Sequence, residues 1–281
     1  MKIIYKRSDI KDKVKALKAN GLTIGFVPTM GALHQGHLSL IKKAKLQNDI
    51  VICSIFVNPI QFNNQQDLEK YPRDYESDLK KLENLDCDLV FMPDVEEMYP
   101  EPPTQKYDFG FLDKVMEGKF RPGHFNGVAT VVHKFFDIIE PDKAYFGEKD
   151  FQQLTIIKRL VKDYNIPVEI VPCPIVRESD GLAMSSRNLR LTKEQRIQAP
   201  YIYQTLLKAK ENYKKFSVIE LKNWIKEEIN KNSFMKLEYV EIVDMQTLHS
   251  VNNYNDIKNL IICIVVFLGE IRLIDNIKLF Y

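Results

Sequence analysis

The chain has 281 residues, enough for two domains at roughly 100–200 residues each. Lys plus Arg number 40 and Asp plus Glu 38, a formal charge of +2. That balance excludes the broad basic field of a protein that coats nucleic acid.

Taken in chain order, Met1–Lys6 meets charge too early for a signal peptide. Thr23–Val27 reads as a short buried strand stopped by Pro28. Pro28-Thr29-Met30-Gly31-Ala32-Leu33-His34-Gln35-Gly36-His37 follows, leading into a helix predicted over His37–Leu46 with Lys42 and Lys43 facing outward. Gly31 and Gly36 permit close backbone approach and positive φ. The His-x-Gly-His spacing puts two imidazoles at a helix N-terminus, whose unpaired N–H groups and partial positive charge favour phosphate. A lone histidine there is more often structural. Two, with glycines, on a strand–loop–helix unit point to phosphate chemistry.

Ile50–Val57 is an almost continuous apolar run, as expected of a strand covered on both faces. The following loop, Phe56–Phe62, carries Asn58 and Gln61, amides suited to a small polar ligand. A helix is predicted over Asp74–Leu85 and a strand over Leu89–Met92. Arg121-Pro122-Gly123-His124-Phe125-Asn126-Gly127 reads as a tight turn with Asn126 as N-cap of a helix over Gly127–Ile139. The strand Ala144–Phe146 then runs into Gly147-Glu148-Lys149-Asp150-Phe151-Gln152-Gln153, where Lys149 suits phosphate. Asp150 and Gln153 also fit a capping box, so for Gln153 cap and ligand remain open. A helix over Phe151–Asp163 and a strand over Val168–Val171 follow. This alternation predicts a doubly wound parallel sheet, with ligands beyond the carboxyl ends of its strands.

After about residue 176 the texture changes. Met184-Ser185-Ser186-Arg187-Asn188 offers two hydroxyls and a guanidinium to a triphosphate, although Ser-Ser-Arg is also an ordinary turn. Thr192–Gln195 and Ser217–Glu220 read as capping boxes opening helices to about Tyr213 and Asn230. The Lys/Asn-rich stretch Lys222–Asn232 reads as a solvated helix face. Strands over Glu238–Val243, Leu260–Leu268 and Ile271–Ile274 complete a small α+β unit. Leu260–Leu268, the longest apolar run, is nine residues against the roughly 20 of a spanning helix. Cys53, Cys87, Cys173 and Cys263 form no C-x-x-C pair and read as reduced core thiols of a cytoplasmic protein. No Walker loop or serine elbow occurs.

With these blocks in order, the chain resembles the pantothenate synthetase (pantoate–β-alanine ligase) family. The likeness runs over essentially its whole length, to Ile271-Arg272-Leu273-Ile274-Asp275-Asn276. The resemblance implies a Rossmann-like N-terminal domain, 1–175, and a smaller C-terminal lid, 176–281. It implies a cytoplasmic homodimer, with Ile50–Ile60 as a candidate interface segment, and no nucleic-acid or membrane partner. The implied reaction joins pantoate to β-alanine through a pantoyl adenylate, using ATP with Mg²⁺ and releasing AMP and pyrophosphate. By position, Met30, Gly31, Ala32, Leu33, His34, Gln35, Gly36 and His37 bind ATP, with His37 as proton donor and His34 on the phosphates. Gly147, Glu148, Lys149 and Asp150 bind ATP, with Lys149 on its phosphates. Val176 lies on the adenine side, and Met184, Ser185, Ser186 and Arg187 close over the triphosphate. Gln61 and Gln153 hold pantoate, and Gln61 lies where β-alanine arrives. Asn58, Arg121 and His124 are secondary contacts. One departure stands out: after Phe62 the chain reads Asn63-Asn64-Gln65-Gln66-Asp67, keeping only Asp67 of the usual pattern. Asp67, Asp74 and Asp78 are not assigned to Mg²⁺, for which ATP phosphates supply much of the coordination. The alternative is another nucleotidyltransferase, against which Gln61 and Gln153 argue for a small hydroxy-acid pocket.

Overall fold

The computed structural model describes residues 1–254 and 259–279. The chain divides into two compact units, Met1–Glu148 with Gln153–Pro174, and Lys149–Gln152 with Ile175–Tyr281.

In the first unit, β1 (Lys2–Ile4), α1 (Arg7–Ala19), β2 (Ile24–Thr29), α2 (Gln35–Lys45) and β3 (Ile50–Ile55) follow one another. Then come α3 (Gln65–Glu69), α4 (Tyr75–Glu83), β4 (Leu89–Phe91), α5 (Val95–Met98), α6 (Met116–Phe120) and α7 (His124–Ile139). β5 (Lys143–Gly147), α8 (Phe151–Asp163) and β6 (Glu169–Cys173) complete the alternation. The six strands form one parallel sheet in the order β1-β4-β3-β2-β5-β6.

Alternation along each strand feeds two cores. Ile24, Phe26, Ile52, Ala144 and Phe146 pack with α1, α7 and α8 on one face. Val27, Val51, Cys53, Ile55 and Tyr145 pack with α2 and α4 on the other. This is the Rossmann-like, doubly wound arrangement expected of strands buried on both sides. The chain leaves β2 for β3 and later returns to β2 at β5. The topological switch therefore lies between β2 and β5, and the loops that follow them open on it.

Several expectations are corrected. Pro28 does not stop β2; it lies within it, level with Ser54 of β3. Thr29 O accepts from Phe56 N, so Thr29 turns its backbone groups to β3 and Pro28 turns its missing N–H to the β5 side. Pairing with β5 covers only Gly25 and Phe26, so no ladder bond is lost there. Asn126 is not the cap of α7; Gly123, at φ 83°, takes that place, and Asn126 Oδ1 accepts from Tyr107 N at 2.9 Å. Lys43 is half-buried, its ammonium donating to Pro172 O at 2.9 Å. β3 lies inside the sheet between β4 and β2, which removes the strand part of Ile50–Ile60 as an interface candidate. The Asn63–Asp67 departure leads into α3: Asn64 caps that helix, accepting from Gln66 N at 2.8 Å, and Gln65–Asp67 form its first turn.

In the second unit, α9 (Lys193–Gln198), α10 (Tyr201–Asn212) and α11 (Val218–Lys231) precede β7 (Met235–Asp244), β8 (Leu260–Leu268) and β9 (Ile271–Lys278). The strands form an antiparallel sheet in that order. Ile202, Leu206, Leu221, Ile225 and Ile229 pack with Val240, Ile242, Ile262, Ile264 and Val266 into a separate core. Both capping boxes form, Thr192 with Gln195 and Ser217 with Glu220. The single helix expected from Thr192 to Tyr213 is two: the break falls at Ala199-Pro200, where proline has no N–H for the helical ladder. All four cysteines are buried and unoxidised, as expected. Among the described residues no helix is long and apolar enough to cross a membrane.

Candidate active site

In the first unit the site is built where β2 and β3 end. Beyond Thr29 the chain turns through Gly31 at φ 80° and Ala32 at φ 49° before α2 begins. Two side chains hold this loop from beneath. Thr29 Oγ1 donates to Ser54 O at 2.7 Å and accepts from Gly31 N at 3.2 Å. The fully buried Asp78, from α4, accepts from Ala32 N at 2.7 Å and Leu33 N at 2.6 Å. Burial pushes its carboxyl above the ordinary value, against those two bonds and Lys81, 3.9 Å away. A Cβ on Gly31 would lie 3.1 Å from both Asp78 Oδ2 and Ile55 Cγ2, so glycine is needed for space as well as for φ.

The two histidines cap α2 reciprocally. His34 is the N-cap, its Nδ1 accepting from Gly36 N at 3.1 Å, and His37 Nδ1 accepts from His34 N at 3.3 Å. The rings lie 4.0 Å apart, centroid to centroid. A nitrogen that accepts carries no proton, so both rings hold theirs on Nε2 when neutral. The backbone of α2 thus fixes the tautomer and makes Nε2–H the donor of each ring.

Gln61 sits in a short 3₁₀ turn, Pro59–Gln61, after β3. The residue is 8% exposed, and both ends of its amide are held: Oε1 accepts from Asn58 Nδ2 at 3.1 Å and Nε2 donates to Met30 Sδ at 3.0 Å. Asn58 also donates to Gly127 O at 3.1 Å and accepts from Tyr99 Oη at 3.0 Å. Burial raises the Tyr99 phenol, which therefore stays a donor. His124 Nδ1 lies 2.8 Å from Gln61 O, and Arg121 Nη1 lies 3.1 Å from His124 Nε2. The guanidinium can only donate, so His124 carries its proton on Nδ1 and donates to Gln61 O. Asn58 and His124, expected as secondary ligand contacts, fix the Gln61 turn. Gln153, in the first turn of α8, is half-buried.

The remaining candidates lie in the second unit, apart from Gly147 and Glu148 at the end of β5. Nothing would meet a Cβ on Gly147, which leaves open space beside that turn. Lys149 and Asp150 form an ion pair at 3.7 Å. Val176 O accepts from Met184 N at 3.0 Å, closing a hairpin bridged at Arg177 and Ala183. Ser185 then caps a 3₁₀ turn, Ser186–Arg190, its Oγ accepting from Arg187 N at 3.3 Å and keeping its own proton to donate. Lys149, Ser185, Asn188 and Asp275 line one small cavity of about 10 Å³. Among the described residues no group of three or more His, Cys, Asp or Glu side chains could hold a metal ion.

Sequence reasoning missed Asp78 as the support of the first loop. An aspartate in the first turn of an amphipathic helix carries no signal of that role. It becomes visible only when α4 is packed beneath β2.

A family model described as pantoate-beta-alanine ligase matches residues 2–278. Curated pantothenate synthetases from Bacteroides thetaiotaomicron and Caldicellulosiruptor bescii are each 50% identical to the chain. The first aligns over 99% of both chains, the second over 99% of this chain and 98% of its own. The fold is similar to the crystal structure of pantothenate synthetase from Thermus thermophilus, with TM-score 0.92 and 40% identity over all of both chains. It is also similar to pantoate-beta-alanine ligase from Francisella tularensis complexed with beta-gamma ATP and beta-alanine. There the TM-score is 0.84 and the identity 39%, covering 99% of this chain and 98% of that one.

Proposed function

This chain belongs to the pantoate–β-alanine ligase family, and from that premise we propose that it makes pantothenate through an enzyme-bound pantoyl adenylate. A pantoate carboxylate oxygen attacks the α-phosphorus of ATP; that P–O bond forms as the α–β bridge breaks, and pyrophosphate leaves. The β-alanine amine then attacks the acyl carbon, a C–N bond forms, the acyl–phosphate C–O bond breaks with AMP as leaving group, and the amine gives up a proton.

The observation that carries this reading is the reciprocal histidine cap. His34 and His37 both accept a backbone N–H at Nδ1, so each neutral ring carries its proton on Nε2 at the N-terminus of α2. Donors there suit negative charge developing on phosphoryl oxygens. In this reading His37 donates to the reacting phosphate and His34 acts beside it. The backbone of Met30–Gly36 and of Gly147–Asp150 approaches ATP, and Lys149 neutralises its phosphates. Val176 lies on the adenine side, and Met184, Ser185, Ser186 and Arg187 donate to the triphosphate from residues 176–281 acting as a lid.

Gln61 suits both acid substrates for a countable reason. An amide has two N–H donors and two acceptor lone pairs. Met30 and Asn58 use one of each, which leaves one N–H for a pantoate oxygen and one lone pair for the β-alanine ammonium. Gln153 supplies a second amide to pantoate. Mg²⁺, a hard cation that commonly needs few protein ligands, would be held chiefly by the ATP phosphates and would supply positive charge there. The family resemblance further supports a cytoplasmic homodimer, which sedimentation of the purified protein tests.

The deciding experiment omits β-alanine. With Mg-ATP and pantoate, the protein should exchange labelled pyrophosphate into ATP, and added β-alanine should then give pantothenate and AMP in equal amounts. ADP and inorganic phosphate as products, with no exchange, would exclude the adenylate.

A further inference from the structure

The strand β9 carries a segment, Ile271–Asn276, that the proposed chemistry leaves unused. Its last two residues are buried polar groups, Asp275 at 5% exposure and Asn276 at 4%. Asp275 receives both arms of the Arg177 guanidinium, at 2.7 and 2.9 Å. Arg177 is itself held, with its guanidinium carbon 3.6 Å from the centre of the Tyr203 ring and Nη1 donating to Gly181 O at 3.1 Å. Asp275 Oδ1 also accepts from Asn276 N at 2.7 Å, which fixes the next residue. The Asn276 side chain then donates from Nδ2 to Lys149 O at 3.0 Å, across 127 positions of sequence.

We infer that Asn276, fixed by the Arg177–Asp275 pair, is a positioning residue that sets the backbone at Lys149 and so aims its ammonium at the substrate phosphates. The inference rests on the reading of Lys149 as a phosphate ligand. Three observations carry it. The segment Lys149–Gln152 groups with the second unit although the sequence on either side of it belongs to the first. Asn276 bonds to that segment at Lys149 itself, on the main chain, and leaves the ammonium to other partners. Asp275 and Lys149 also line the same small cavity as Ser185, so the anchor, the lysine and the serine turn share one wall. A buried bidentate pair is a rigid foundation, since neither ion can turn without breaking two charge-assisted bonds.

The test is a double-mutant cycle on ATP-analogue affinity and turnover, with the fold of each variant checked by thermal unfolding. Lys149→Met alone should lower turnover by about 10²–10³-fold, as for loss of one charge-stabilising donor. Asn276→Ala should lower it by about 10–100-fold, the scale of a small misplacement of a catalytic group. In the Lys149→Met background, Asn276→Ala should cost less than about two-fold, because its effect passes through the lysine. A folded Asn276→Ala protein with wild-type affinity and rate overturns the inference, as does an undiminished loss in the Lys149→Met background. Asn276→Ser, which retains a shorter donor, runs the same cycle if the alanine variant does not fold. Wild-type behaviour of Lys149→Met would instead remove the lysine from phosphate binding, a failure of the earlier reading that the single variant exposes by itself.

Discussion

Asp78 sets the shape of the loop between β2 and α2 by giving one oxygen to each of two successive backbone N–H groups. Asparagine keeps one acceptor and turns a donor toward the other N–H. Asp78→Asn should therefore destabilise by about 2–3 kcal/mol and raise the KM for ATP, measured by denaturant titration and steady-state kinetics. The pH dependence has a definite sign. Burial raises the native carboxyl, so between its ordinary and native values the folded protein binds more protons than the unfolded chain. The contribution of Asp78 to stability is thus greatest at acid pH and falls as pH rises through that window. The stability margin of the native protein over Asp78→Asn should be wider near pH 3.5 than at pH 7; a margin that widens with pH would contradict this assignment. His37 has two separable jobs. Alanine removes both the capping acceptor and the Nε2 donor, whereas glutamine, a natural capping-box residue at this helix position, can retain the first. Both variants should lose turnover by about 10²–10³-fold, and only His37→Ala should lose about 1 kcal/mol of stability. Near-normal turnover in either one would take His37 out of the chemistry.

Among the elements, α7 decides where Gln61 sits. A Cβ on Gly127 would lie 2.4 Å from Ile60 O and 2.7 Å from Gln61 Cα, both backbone atoms that cannot rotate away. Gly127→Ala should push the Pro59–Gln61 turn off α7, costing about 1–3 kcal/mol and raising the KM for pantoate more than that for ATP. Equal KM changes for both substrates would show that the turn does not act through Gln61. The sequence places a helix here and a turn before it, but it sets the cap three residues late, at Asn126. The spacing of Gly123 and Asn126 admits either start, and the choice rests on Asn126 reaching Tyr107 N, a partner 19 residues away. Pro28 is similar: a proline reads as a stop, and only the length of the β2–β5 pairing shows that its missing N–H is harmless. The helix α1 is a plain omission, since Ile10, Val14 and Leu17 stand four and three apart and mark its buried stripe.

For the whole molecule, the two units have separate cores, and the cysteines report on each. Cys53, Cys87 and Cys173 are buried in the first and Cys263 in the second. Burial raises the Cys53 and Cys173 thiols and pushes Cys87 up to about 12, so these three resist thiolate-directed reagents while folded. Native protein at pH 8 should therefore leave these three thiols unlabelled. In a denaturant series, labelling of Cys263 and of the other three should follow two different midpoints, as separate cores allow. One shared midpoint would mean that the units unfold as one.

Legible in the sequence were the strands β2–β6 with the helices α2, α4, α7 and α8 between them, the parallel class of the first sheet, the capping boxes and the loops that carry His34, His37, Gln61, Lys149 and Ser185–Arg187. These follow from local signals, namely apolar period, cap chemistry and turn residues, and from motif spacing. The tertiary structure alone decided what holds those loops. Asp78 beneath Ala32 and Leu33, Asn58 and His124 behind Gln61, and Asn276 on Lys149 are pairs joined across 46, 45, 3, 63 and 127 positions. Apart from the Asn58 pair, they depend on which element lies beside which. A buried polar side chain must find a partner wherever packing puts one, and packing distance is not written in the spacing of the chain.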